Sequence, residues 1–145
     1  MTTAELIERL ERAEWPSREL DAEIDAFLGW APLANPTSAG GLIDMMVSPS
    51  GETVRRTVPH YTASIDAALT LVPEGWRIAG FVEYGNGMKW KGRIYCALVP
   101  SDLSHLPRTY AAHSAAAVRC DHAATPAIAL CIAALKAKEA DNGNG

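Results

Sequence analysis

A thiol, a carboxylate and an imidazole follow one another at Cys120, Asp121 and His122. A thiolate beside an imidazolium is a workable nucleophile, so this triplet offers one candidate active centre for a hydrolase. Catalytic partners, however, usually meet through the fold, and consecutive residues of a chain point in different directions. The triplet therefore favours a structural or incidental placement over a hydrolase, and we predict no catalytic residue.

Imidazole and thiolate groups also suit zinc, and His105, His113 and His122 lie near Cys120 in the sequence. The spacings of eight, seven and nine residues between His105 and His113, His113 and Cys120, and His113 and His122 match no compact ligand module. We expect these histidines to face solvent. The sequence thus predicts neither a bound metal nor any other cofactor.

The long stretch over residues 101–123 is the first place to look for a binding site, because loops of this length tend to be functional or disordered. It carries groups that can hold an anion or an acidic surface, namely His105, Arg108, Tyr110, His113, Arg119 and His122. We expect a partner or ligand to bind here. Mild acidification should strengthen such binding through protonation of the histidines, and salt should weaken it. The alternative is a mobile surface insertion without a partner.

A second part of the predicted site is the helix start at Tyr61 and Thr62, where backbone amides without helical partners could hold an anionic ligand. The plainer interpretation is that Thr62 caps the helix and Asp66 complements its dipole, which needs no ligand.

Composition limits the class of partner. The chain has 13 Lys and Arg against 17 Asp and Glu, a net charge of -4, which argues against broad affinity for nucleic acid or anionic lipid. No window holds the roughly eighteen continuous apolar residues of a membrane helix, and residues 1–14 do not have the pattern of a secretory signal. Three widely spaced cysteines predict no disulfide framework and fit a reducing compartment. We therefore expect a cytoplasmic protein.

The elements that position these groups fit one α/β domain over residues 1–145, with a disordered tail at 140–145. Thr2 and Glu5 form a capping-box pattern for a first helix that ends near Glu14. Ser17 caps a second helix that ends at Gly29. Thr62 begins a third, and Thr125 with Pro126 begins the last.

Two hairpins are predicted between these helices. Residues 42–47 and 53–58 flank a Ser-Pro-Ser-Gly turn, with Arg55 and Arg56 on the exposed part. Residues 76–84 and 88–99 are aromatic and β-branched runs joined by Gly85, Asn86 and Gly87, which allow a tight turn. Residues 101–123 are predicted to be irregular, with one helical turn within 111–118.

Three segments taken together resemble a known family: residues 16–21 (Pro-Ser-Arg-Glu-Leu-Asp), residues 61–76 from Tyr61 to Trp76, and residues 124–131 from Ala124 to Cys131. In this order they are similar to the phage ABA sandwich domain proteins, small phage and prophage proteins that are mostly uncharacterised. The resemblance implies an α+β fold, a three-layer α-β-α sandwich with a small antiparallel sheet between helices, in the cytoplasm of a bacterial host cell. It implies no catalytic residues.

Three functions remain open. The first is a phage or prophage accessory protein, either a single chain or a homo-oligomer, that acts by binding a host or phage component without catalysis. The second is a protein that binds a small anionic, nucleotide-like ligand. The third is a hydrolase centred on the Cys120 loop. An exposed apolar patch would favour the first, a deep pocket ringed by arginines the second, and a Cys–His hydrogen bond the third.

Overall fold

The computed structural model describes residues 2–32, 46–55, 57–103, 105, 107 and 111–143, which form an α+β fold. The described helices are α1 (Thr3–Arg12), α2 (Arg18–Phe27), α3 (Ile65–Leu69) and α4 (Pro126–Gly143). The described strands are β1 (Ala31–Pro32), β2 (Met46–Val47), β3 (Val54–Arg55), β4 (Trp76–Glu83), β5 (Ile94–Pro100) and β6 (Val118–Ala123). They form two antiparallel sheets, β1-β2-β3 and β4-β5-β6. The predicted α+β sandwich with antiparallel strands is confirmed.

Local capping fixes the two N-terminal helices where the sequence predicts them. The Thr2 hydroxyl accepts from the Glu5 amide and the Glu5 carboxylate accepts from the Thr2 amide, a complete capping box for α1. The Ser17 hydroxyl accepts from the Leu20 amide at the start of α2. Gly29, with φ +94°, takes the left-handed conformation that ends α2.

The small sheet confirms only part of the first predicted hairpin. Met46 pairs with Arg55 and Val47 with Val54, and β1 adds to the other edge of β2. Residues 42–45 and Arg56 lie outside the described residues. Arg55 was predicted on the exposed part, but its guanidinium lies 3.6 Å from the centre of the Trp30 ring and pairs with the buried Asp25 carboxylate.

The second hairpin differs from its prediction at the turn. The ladder from Trp76–Pro100 to Glu83–Ile94 confirms both strands, but β5 begins at Ile94 and not at residue 88. Backbone hydrogen bonds join Tyr84 to Arg93 and Gly92, so residues 84–93 form a wide connection instead of the predicted tight turn at Gly85–Gly87. Seven successive turn or bend residues, 86–92, place Trp90 away from the strand, where its ring stacks on that of His122 with 4.4 Å between the ring centres.

Residues 118–123 were predicted to be irregular but form β6, which pairs with the far edge of β5 through Cys96 and Cys120. Because Arg119, Asp121 and His122 are polar, the sequence of residues 118–123 does not show the regular alternation of apolar and polar residues that predicts a strand. The pairing partner supplies the buried environment that the sequence alone does not reveal. A short helical turn at Ala111 and Ala112 lies within the predicted range of residues 111–118.

Helix α3 begins later than predicted, because Ser64 and not Thr62 is its cap. The Ser64 hydroxyl accepts from the Ala67 amide at 3.2 Å. Thr62 is fully buried, and its hydroxyl donates to the Asp21 carboxylate at 2.8 Å and accepts from the Ser17 amide at 2.8 Å. Thr62 therefore joins the end of the α1–α2 connection to the segment before α3.

Helix α4 is the centre of the core. It packs against β5 and β6 on one side and against α1 and α3 on the other. The Thr125 hydroxyl accepts from the Ile128 amide at 3.2 Å, as predicted for its start. The helix continues to Gly143, beyond the tail predicted from residue 140, and the Asp141 carboxylate accepts from the Trp76 indole at 3.1 Å. None of the described helices is long and apolar enough to cross a membrane.

Candidate functional site

The outer face of the β4-β5-β6 sheet, opposite α4, is covered over only part of its length. Ala97 and Val99 of β5 are buried under Ala111 and Ala112, with Leu103 and Ala117 at the margin. Further along the strands this cover ends. The outer-facing residues of β4 and β5 there border an open depression.

This depression, which we call the sheet groove, has a volume of about 630 Å³. Its lining is largely apolar and is formed by Ala79, Gly80, Val82, Glu83, Tyr84, Gly85, Met88, Tyr95, Ala112, His113 and Arg119. Val82 is 56% exposed and Met88 55% exposed, although both are large apolar side chains. A Cβ at Gly80 would lie 3.2 Å from the Tyr95 ring, so glycine lets this ring lie close to β4 and form the floor.

The two oppositely charged lining residues of the groove, Arg119 and Glu83, do not pair with each other. Arg119 lies on β6 opposite Ala97, and its guanidinium donates to the backbone oxygens of Ala112 at 3.0 Å and Ser114 at 3.2 Å. No carboxylate in the described part of the chain pairs with Arg119. His113 is exposed beside it, and the single acidic lining residue is Glu83. The groove can therefore accept an apolar group together with an anion.

The predicted site residues that the structure describes fall in four places. His113 and Arg119 line the sheet groove. His105 follows the 3-10 turn Ser101–Leu103, with Nδ1 3.2 Å from the Asp102 oxygen. Arg108 and Tyr110 lie outside the described residues. Only His113 and Arg119 are therefore brought together as predicted.

His122 lies on the other side of β6, in a cleft of about 90 Å³ that also contains Glu11, Cys120 and Lys136. Trp90 stacks on its ring, and its Nδ1 atom is buried without a hydrogen-bond partner among the described residues. The Lys136 ammonium donates to the Arg119 backbone oxygen at 2.8 Å. This cleft is separate from the groove and much smaller.

Cys120 does not meet the requirements of a nucleophile. The side chain is buried, and burial raises the pKa of its thiol to about 12, with further raising by Glu11 and Asp121 against a lowering by Lys136. Its thiol is therefore protonated at neutral pH. No hydrogen bond joins it to the His122 ring among the described contacts, and this geometry disfavours the hydrolase hypothesis.

Tyr61 and Thr62 belong to a buried polar network that the sequence analysis missed. The Asp21 carboxylate accepts from the Thr62 amide and hydroxyl, each at 2.8 Å, and from the Arg18 guanidinium at 2.8 Å. One turn later, the Asp25 carboxylate accepts from the Tyr61 hydroxyl at 2.8 Å and from Arg55. The available signal was the position of both aspartates beside Leu20 and Ile24, on the apolar face of α2.

This network does not form a site for an external ligand in the described structure. Asp21, Asp25, Tyr61 and Thr62 are each buried, and hydrogen bonds join Thr62 to Asp21 and Tyr61 to Asp25. Among the described residues, the second Asp25 carboxylate oxygen and Arg55 Nε have no hydrogen-bond partner. Burial and the neighbouring Asp25 carboxylate raise the pKa of the Tyr61 hydroxyl well above its ordinary value. The network therefore holds α2 to the segment before α3.

No group of three or more His, Cys, Asp or Glu side chains within the described ranges is arranged to hold a metal ion. The chain matches no family model, and no curated protein or solved structure matches it. The groove must accordingly be interpreted from its own chemistry.

Proposed function

We propose that the protein is a phage or prophage accessory protein that acts without catalysis, by binding a host or phage protein in the sheet groove. The observation that supports this most is the exposure of two large apolar side chains in the lining of the groove, Val82 on β4 and Met88 in the 84–93 connection. The phage assignment rests on the family resemblance of the three sequence segments. The binding assignment rests on the groove.

The lining of the groove is typical of a protein interface. Tyrosine and methionine are enriched in interfaces, and Tyr84, Tyr95 and Met88 occur here together. Isolated exposed apolar side chains are ordinary, but adjacent ones around a depression with a cationic side indicate a contact surface. Burying Val82 and Met88 against a partner would stabilise the complex by roughly 2 kcal/mol in total, since each is already half buried.

A small anionic ligand is the second candidate. The groove volume of about 630 Å³ is in the range of small-molecule sites, and Arg119 supplies a positive charge. A small-molecule site normally encloses most of its ligand, whereas Val82 and Met88 are more than half open to solvent. The protein partner therefore fits the groove better.

Photo-crosslinking tests the proposal directly. A photoreactive phenylalanine analogue replaces Val82 in one variant and Leu69 in another; Leu69 is 42% exposed on α3 and serves as the matched control. Irradiation of prophage-carrying host cells that produce each variant should give a protein adduct from position 82 and none from position 69. Equal adducts at both positions, or no protein adduct at position 82, would contradict the proposal.

A further inference from the structure

We infer that the occupant of the sheet groove is an extended peptide segment in which an apolar side chain and an acidic side chain lie two residues apart. This inference deepens the proposed function and depends on it. It assigns the partner's recognition chemistry, with the apolar side chain on Val82 and Met88 and the carboxylate on Arg119.

The strand register sets the distances. Gly80 pairs with Ala97, and Ala97 pairs with Arg119, so these three residues form one row across the sheet. Because neighbouring strands are about 4.8 Å apart and Val82 lies two residues beyond Gly80 along β4, the Arg119 backbone lies about 12 Å from the backbone of Val82. In an extended peptide, side chains two residues apart point to the same side and are about 7 Å apart. The long arginine side chain covers the remaining distance.

The hydrogen-bonding capacity of Arg119 supports a carboxylate at this place. A guanidinium has five N–H donors, and in the described structure only Nε and Nη2 of Arg119 have backbone acceptors. The remaining donors can bind a carboxylate in a charge-assisted hydrogen bond. The two backbone acceptors also hold the guanidinium in position before a ligand arrives, which lowers the entropic cost of binding.

The basic and acidic side chains of the groove lie on different sides of it, which favours one orientation of a charged peptide. Arg119 and His113 lie on the side toward β6 and the Ala111–Ala112 turn, whereas Glu83 lies at the end of β4. A carboxylate is attracted to the first side and repelled by the second. A peptide with a lysine in place of the acid would meet the opposite field.

Fluorescence polarisation with labelled peptides tests the inference on the full chain. The probe has the core Ser-Leu-Ser-Glu-Ser and is compared with a second peptide of reversed order, Ser-Glu-Ser-Leu-Ser, since either chain direction is allowed. One control replaces Glu with Lys, and another replaces Leu with Ser. We expect an acidic probe to bind at least about tenfold more tightly than both controls. Raising salt from about 0.05 to about 0.5 M should weaken it several-fold.

Variants of the protein test whether the labelled peptide binds in the sheet groove. Arg119→Gln keeps a donor for the backbone oxygens but removes the charge, and should weaken the acidic probe about tenfold. Because this change could loosen the 111–114 segment, His113→Glu at an exposed position is the second variant and should weaken it in the same direction. Leu69→Ser is the matched surface control and should leave binding unchanged.

The outcomes separate the two proposals. Equal affinity for acidic and basic peptides, or no binding of the acidic probes below about 1 mM, overturns the inference. A protein adduct at position 82 would then still support the proposed function. If position 82 gives no protein adduct while the acidic probe binds selectively, the recognition chemistry is upheld and the protein-binding function fails.

Discussion

Asp21 and Asp25 join parts of the chain that are far apart in sequence. They lie one turn apart on the buried face of α2, and between them accept hydrogen bonds from Arg18, Arg55, Tyr61 and Thr62. A buried carboxylate is tolerated only when such partners replace water. These residues therefore belong to the stability of the fold and not to its surface recognition.

Replacing Asp21 with Ala should destabilise the protein by about 3 kcal/mol, because it removes the carboxylate that pairs with Arg18 and that accepts from the Thr62 amide and hydroxyl. Urea unfolding at pH 7 measures this. Glu8→Ala removes an exposed ion pair with Arg12 and should cost less than about 0.5 kcal/mol. Similar losses in the two variants would contradict the assigned role of Asp21.

Stability should fall as pH rises above about 9, because burial raises the pKa of the Cys96 and Cys120 thiols from 9.0 to about 12. The unfolded chain releases these protons near pH 9, whereas the folded chain keeps them to about pH 12. The stabilisation is thus complete below pH 9 and is lost between pH 9 and 12.

Free energies of unfolding at pH 8, 10 and 11 test this expectation. A variant carrying both Cys96→Ala and Cys120→Ala removes the two thiols and should lose less stability over the same interval. An identical pH dependence in the variant and the original chain would show that the thiols do not cause the loss.

At the scale of single residues, the sequence placed His113 and Arg119 in one candidate site because both lie on one stretch of chain, and both side chains line the sheet groove. It could not predict their meeting with Val82 and Met88, which depends on the pairing of β4, β5 and β6. The sequence wrongly predicted Thr62 as a helix cap, because a threonine before a helix usually has that role. Only the fold shows that the Thr62 hydroxyl donates to the Asp21 carboxylate.

Among the elements, those defined by local signals were predicted best. Thr2, Ser17 and Thr125 begin their helices as expected, because each cap needs only a hydroxyl and an amide three residues later. The strand β6 was missed, since its burial depends on Cys96 across the sheet. The start of β5 was misplaced because residues 88–93 alternate like a strand but lack a pairing partner.

Replacing Thr125 with Ala should destabilise the protein by about 1 kcal/mol, since the Ile128 amide loses its acceptor at the start of α4. Thermal unfolding measures this change. Thr70→Ala is the matched control, because the exposed Thr70 hydroxyl donates to the Ala67 backbone oxygen at the end of α3 and accepts from no helix-start amide, and it should change stability by less than about 0.5 kcal/mol. An unchanged melting temperature in the Thr125 variant would contradict the cap.

In the molecule as a whole, α4 is the element on which the others depend. From Ala127 to Leu135 every residue is buried, and the sheet contacts one side of this helix while α1 and α3 contact the other. Opening α4 exposes both sides at once. Its amides should therefore open only when the whole fold unfolds.

Hydrogen exchange followed by mass spectrometry should show this order. Amides of residues 128–137 are expected to be the most protected, and those of the two-residue strands β2 and β3 the least, because the short strands have few buried neighbours. The Thr125→Ala variant should accelerate exchange in α4 by about fivefold, in line with its loss of stability. Exchange in α4 as fast as in β2 would contradict a central role.

Helix α4 follows the other described elements in the sequence, and this order affects how the protein folds during synthesis. Helix α1 packs against α4, yet more than a hundred residues separate Arg12 from Pro126. At roughly 10 residues per second, the ribosome releases the apolar stripe of Leu6, Ile7 and Leu10 about ten seconds before its cover exists. During that interval we expect the nascent helices to bind chaperones that recognise exposed apolar segments, and the core to close only after residues 126–143 leave the exit tunnel.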